Sequence, residues 1–188
     1  EKIEDVSGVN KVYKIKNFPG RIDYSGSTVD VVVYGIEQGY LESTPAQKLS
    51  GEYFSSESES TDAIINKEYL DTLGLDEKIV GKSINLSVIQ SSPDTQIEEG
   101  DLVVDIVGIV EDDSSPVIYL QVDAISKYTP PNYSQATVVI NKEFSLGEVR
   151  KQIESLGLET FSVMDTINQV QELFTYLRYG LLIFGIMA

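Results

Sequence analysis

The chain carries short apolar runs separated by turn residues, then one long run of different period near its C-terminal side. "TVDVVVYGI" (28–36) is dense in β-branched residues and predicts a strand. "VGKSINLSVI" (80–89) sets Ile84, Leu86 and Val88 at alternate positions, the pattern of a strand with one face inward. "LVVDIVGIV" (102–110) is almost continuously apolar, which predicts a strand buried on both faces with Val103, Val107 and Ile109 in the core. "KVYKIKNF" (11–18), "VIYLQV" (117–122) and "ATVVINK" (136–142) read as further strands. Residues 19–27, 37–62, 90–101 and 111–116 read as turns or loops, and "YTPPNYS" (128–134) as a proline-rich connector.

Helical spacing is rarer. The opening residues to Gly8 suggest a short helix with Ile3 and Val6 on one face. After the apolar stretch 63–65, Tyr69, Leu70 and Leu73 predict a helix that Gly74 ends. "SLGEVRKQIESLG" (145–157) has Ser145 and Glu148 at capping-box spacing. Its apolar face is Leu146, Val149, Ile153 and Leu156, with Lys151 and Glu154 expected outside. "ETFSVM" (159–164) reads as a strand, making 136–164 a β-α-β unit.

From Asp165 the period changes. Ile167, Val170, Phe174, Leu177, Leu181, Phe184 and Ala188 fall alternately three and four residues apart, the heptad spacing of one helix face. Arg178 is the last charged residue, and 180–188 is uncharged. A helix that leaves water and enters lipid changes in this way. Residues 165–188 are therefore expected to form one helix, with Ile167, Val170, Phe174, Leu177 and Leu181 as a seam. Arg178 would reach toward the membrane interface. A spanning helix needs ~20 apolar residues. The run, together with the non-Met start at Glu1, reads as part of a longer chain. The competing expectation is a buried C-terminal helix of a soluble domain.

Composition narrows the chemistry. The 188 residues carry a formal net charge of −16. That argues against nucleic acid, which needs clustered Lys and Arg, and against a surface resting on anionic lipid. The chain has no Cys and no His. Cys nucleophiles, Ser-His-Asp triads, His or Cys zinc sites, disulfides and haem ligation by His are thereby excluded. No catalytic residue, cofactor or metal is expected. "SSESES" (55–60) lacks the alternating Asp/Asn ligands and turn glycine of a calcium loop and reads as a solvated surface loop. Gly81–Lys82–Ser83 lacks the upstream glycine of a phosphate loop. Asn85-Leu86-Ser87 and Asn132-Tyr133-Ser134 match the glycosylation sequon, a triplet common by chance.

The order of "SGEYF" (50–54), "AIINKEYLDTLGL" (63–75), "VGKSINL" (80–86), "VDIVGIVED" (104–112), "ATVVINK" (136–142) and "VQELFTYLRYGLLIFGIMA" (170–188) resembles the extracytoplasmic part of MacB-type ABC transporter permeases, which carry an FtsX-like permease domain. Gln121 stands near the place where that family often has a proline-containing stretch. The resemblance implies an α+β fold lying between the first and second transmembrane helices. A discontinuous α/β (Porter-like) lobe would comprise 1–62 and 133–164. An inserted β-rich (Sabre-like) lobe would comprise 63–132, and 165–188 would be a stalk helix. It implies a non-enzymatic role in which cytoplasmic ATP hydrolysis moves the stalk and the outer domain. The implied partners are a cytoplasmic ATP-binding subunit or domain and a second permease copy or a paired permease. The membrane is reached through flanking helices, and the domain lies on the extracytoplasmic side of the cell membrane. A ligand-sensing module of a peptide-resistance transporter and a carboxylate-based hydrolase are the alternatives. Saturable ligand binding would mark the first, and turnover the second.

Overall fold

The structure, a computed structural model, describes residues 2–24, 26–92, 95–112, 115–126 and 132–187, with the side chains of all of these except 89–99, 163 and 180–187. It divides into two compact units, Lys11–Val139 and the pair of segments Glu1–Asn10 with Ile140–Ala188.

The first unit is built on strands. β1 (Val9–Tyr24) and β2 (Ser27–Ile36) form a long hairpin in register from Lys16↔Gly35 to Tyr24↔Ser27. β3 (Gln47–Gly51), β4 (Asp62–Asn66), β5 (Ser83–Ser92), β6 (Thr95–Glu111), β7 (Val117–Gln121) and β8 (Gln135–Ile140) follow. β1 pairs with β2 along one edge and, over Gly20–Asp23, with β5 along the other. The neighbours therefore run β1–β2–β7–β4–β6–β5 and return to β1, closing a ring. Contacts β2–β7 and β4–β6 are parallel and the rest of the ring is antiparallel. β3 adds to β6, and β8 lies beside β1.

Strand alternation fills the ring. Ile65, Ile118 and Val33 are cross-strand neighbours, as are Leu86 and Ile22, and all are fully buried in one apolar cluster. α1 (Lys67–Leu73) contributes Tyr69 and Leu70 to the same cluster. The opposite face of β4, β6 and β7 (Ile64, Val110, Val117 and Tyr119) is covered by Leu41 and Phe54 from the segment between β2 and β4. That segment approaches closely where Gly108 sits: a Cβ there would lie 2.3 Å from the Glu52 carbonyl oxygen.

Several expectations change. Residues 19–27 are not a turn: β1 runs through Pro19 and Gly20 to Tyr24, and Gly26 (φ +83°) lies in the hairpin connection. Pro19 is tolerated because β5 joins β1 only from Gly20 onward. Residues 90–101 are mostly strand, since β5 and β6 form one long hairpin. Val103 is 58% exposed, whereas Val104, Ile106 and Ile109 are fully buried. The strand is the wall of a ring with one wet face near Val103, and Val107 is only partly buried against the outer cluster. The opening residues form turns closed by Val6 N–H to the Ile3 carbonyl (3.2 Å), not a helix. The connector expected at 128–134 lies for its first four residues outside the described residues. Strands from the segments 1–62 and 63–132 hydrogen-bond within one sheet.

The second unit holds α2 (Leu146–Ser155) and α3 (Val163–Met187). Residues 159–164 are not a strand. The polar groups of Thr160 and Ser162 bind α2 and the first turn of α3 instead of a neighbouring strand, and Val163 already begins the helix.

Candidate functional site

α2 forms where the capping pattern places it. Ser145 Oγ accepts the Glu148 N–H at 3.4 Å, satisfying one of the free donors of the first turn. Val149 and Ile153 are buried, while Lys151 and Glu154 face water. Gly157 takes the left-handed conformation (φ +84°) just beyond the helix end, where a side chain would be strained.

The return from α2 to α3 is organised by one guanidinium. Arg150 Nη1 donates to Asp165 Oδ1 at 2.6 Å, Nη2 to the Thr160 carbonyl at 3.0 Å, and Nε to Thr160 Oγ1 at 2.9 Å. Thr160 Oγ1 in turn donates to Glu154 Oε1 at 2.5 Å. The other oxygen of Asp165 accepts the Ser162 N–H at 3.0 Å, and Ser162 Oγ accepts the Met164 N–H at 3.2 Å. Asp165 thus closes the first turn of α3, where a negative charge also suits the helix dipole. The Arg150 hydrogen bond holds the Asp165 carboxyl below the usual carboxylate range, and the same bond raises Arg150.

α3 is one uninterrupted helix of 25 residues, roughly 37 Å long at 1.5 Å per residue. Ile167, Val170, Phe174 and Leu177 lie on one face and all are exposed, Phe174 at 67%. Leu181 continues that face by spacing, in a part of the helix whose side chains are not described. Arg178 is exposed. The sequence reading missed Phe161, Leu173, Tyr176 and Tyr179, which are exposed as well. The signal for the tyrosines was their spacing of three residues around the last charge. Among the described residues no helix is long and apolar enough to cross a membrane, and no acidic group is placed to hold a metal.

A second polar feature lies in the strand unit. Asn66, fully buried at the end of β4, caps α1 by accepting the Tyr69 N–H at 3.1 Å and also accepts the Val117 N–H at 3.0 Å. Its Nδ2 donates to Asp112 Oδ1 (3.1 Å) and to the Ser115 carbonyl (2.9 Å). Asp112 Oδ2 accepts the Tyr119 hydroxyl at 2.6 Å. Burial, and then the Asp112 hydrogen bond, push the Tyr119 phenol far above its ordinary value. Beside this junction is a cleft of about 340 Å³ lined by Pro45, Ala46, Gln47, Glu111 and Asp112. Its acids are engaged within the protein, Asp112 as above and Glu111 with Lys67 at 3.2 Å. This junction joins the ends of β4, β6 and β7 and is structural.

A family model described as the MacB-like periplasmic core domain matches residues 1–156. A search of curated proteins finds no match. Among solved structures, the periplasmic region of MacB from Actinobacillus actinomycetemcomitans aligns with a TM-score of 0.64 at 17% identity, covering 90% of this chain and 79% of that one. The extracellular domain of the noncanonic ABC-type transporter YknZ from Gram-positive bacteria aligns with a TM-score of 0.61 at 18% identity, covering 80% of this chain and 73% of that one. At such identities the likeness is one of fold.

Proposed function

The chain belongs to the family of MacB-like periplasmic core domains, and from that premise we propose that it is the extracytoplasmic domain of an ABC transporter permease, passing force between the membrane and the outside. Cytoplasmic ATP hydrolysis, on a separate subunit or domain, would close a pair of permeases. The stalk helix would carry that movement outward, and the outer domain would respond by exporting or extracting a substrate. No catalytic residue takes part. On this reading α3 leads toward a membrane-spanning segment.

The observation that carries the proposal is α3 itself. A helix that transmits force must be continuous, tied at its root, and able to engage a partner along its length. α3 runs unbroken from Val163, Arg150 ties its first turn to α2, and an apolar face at heptad spacing is uncovered. Exposed apolar stripes of this kind mark interaction surfaces.

The test belongs in the full transporter. A single Cys at Phe174, within this naturally Cys-free chain, is expected to cross-link between copies to an extent that changes with ATP. Phe174→Asp is expected to abolish transport while the domain still folds, because Phe174 is exposed. No cross-link in either nucleotide state, together with normal transport by Phe174→Asp, would remove the force-transmitting role.

A further inference from the structure

α3 presents more apolar surface than one seam can cover. At roughly 100° per residue, Ile167, Val170, Phe174, Leu177 and Leu181 gather on one side. Tyr176 and Tyr179 lie roughly opposite. Both are well exposed, at 71% and 61%. If a second helix occupies the seam, the tyrosines remain on its far side. Water is a poor environment for two large rings on one turn, and among the described residues neither makes an aromatic, cation–π or hydrogen-bonding contact.

The sequence around them narrows the occupant. Arg178 stands between the two tyrosines, is the only basic residue of α3, and has no ion pair among the described residues. The nine residues 180–188 carry no charge. Tyrosine has an apolar ring and a polar hydroxyl, so it is best placed where hydrocarbon gives way to headgroups. An arginine at the same level can pair with phosphate while its stem lies against apolar groups. A second helix explains the seam and an arginine at its flank; it does not explain two exposed tyrosines on the far side at the edge of an uncharged run.

We propose that Tyr176, Arg178 and Tyr179 form a collar that rests in the phospholipid headgroup layer, with the phosphate bound by Arg178 and the rings at the boundary of the acyl chains. The collar would fix the depth and rotation of α3, so that the seam faces its helical partner. The proposal rests on the reading of α3 as a helix entering the membrane, and adds the residues that set its level. The net charge of −16 makes a zwitterionic phospholipid the better surface, since an anionic bilayer would repel the rest of the domain.

The chain contains no Trp, so Tyr176→Trp, Tyr179→Trp and Phe184→Trp each give a sole reporter. Each variant is mixed with phosphatidylcholine vesicles whose lipids are brominated at shallow or deep acyl positions. The expected result is a blue shift for all three, with positions 176 and 179 quenched more by shallow bromines and position 184 more by deep ones. Quenching at 184 but not at 176 or 179 overturns the collar and leaves the membrane entry standing. No quenching at any position overturns both. A blue shift that depends on protein concentration and not on vesicles shows that the rings cover a second copy, and also overturns the collar. As an independent reading, Tyr176→Asp and Tyr179→Asp are each expected to weaken vesicle partition on the order of tenfold. Unchanged partition in both would likewise overturn the proposal.

Discussion

Asn66 Nδ2 lies 3.1 Å from Asp112 Oδ1, so the residue that ends β4 and starts α1 is bound to the residue that follows β6. The two are 46 positions apart in sequence, and one amide satisfies backbone groups of Tyr69, Ser115 and Val117 at the same time. Asn66→Ala strands two buried donors and removes a helix cap. A loss of about 2–4 kcal/mol is expected from unsatisfied groups and capping together, read as a fall in the urea midpoint. A change under about 0.5 kcal/mol would show that water replaces the amide.

Tyr69 lies in the same region with the opposite problem. Its ring is fully buried, but among the described residues its hydroxyl meets no hydrogen-bond partner. Tyr69→Phe removes a desolvated group without opening a cavity, so stability should hold or rise, by up to about 1 kcal/mol. Burial also pushes the phenol well above its ordinary value. A raised folded-state value means that this contribution is intact below the unfolded value of about 10 and is lost as pH rises beyond it. Tyr69→Phe should therefore flatten the alkaline loss of stability. An identical alkaline profile in the variant would place the sensitivity elsewhere, with Tyr119 the next candidate.

β6 offers a contrast within one strand. Val103→Asp should cost no more than about 1 kcal/mol, since that side chain is in water. Ile106→Asp buries an unpaired charge in the ring and should cost on the order of 4 kcal/mol or more. Comparable melting temperatures for the two variants would contradict the inward and outward assignment.

The Arg150–Asp165 pair should couple α2 to α3. In a double-mutant cycle of Arg150→Ala and Asp165→Asn, the two losses should be less than additive, because each single change removes the same bond. Asp165 has a lowered carboxyl value. Its contribution is therefore present above the unfolded value and lost as pH falls through the folded one. The melting-temperature gap between the unaltered chain and Asp165→Asn should close in acid. A gap that stays constant into strong acid would show that the charge of Asp165 is not what holds the helix root.

Much of this fold is written locally. Alternation gave β5, because one buried face forces a period of two, and β-branched density gave β2. Ser145 and Gly74 marked helix ends, because capping and left-handed backbone are properties of a few residues. The apolar face of α3 was legible for the same reason: a helix face follows from spacing alone. The order of strands around the ring was not legible. Neither was the wet face at Val103, since an apolar side chain is buried only if some other segment comes to cover it. Residues 159–164 read as a strand, yet Arg150 claims the Thr160 carbonyl and Asp165 claims the Ser162 amide. Strand formation needs a partner edge and capping needs a nearby side chain; only the folded arrangement decides which of the two a short polar segment finds.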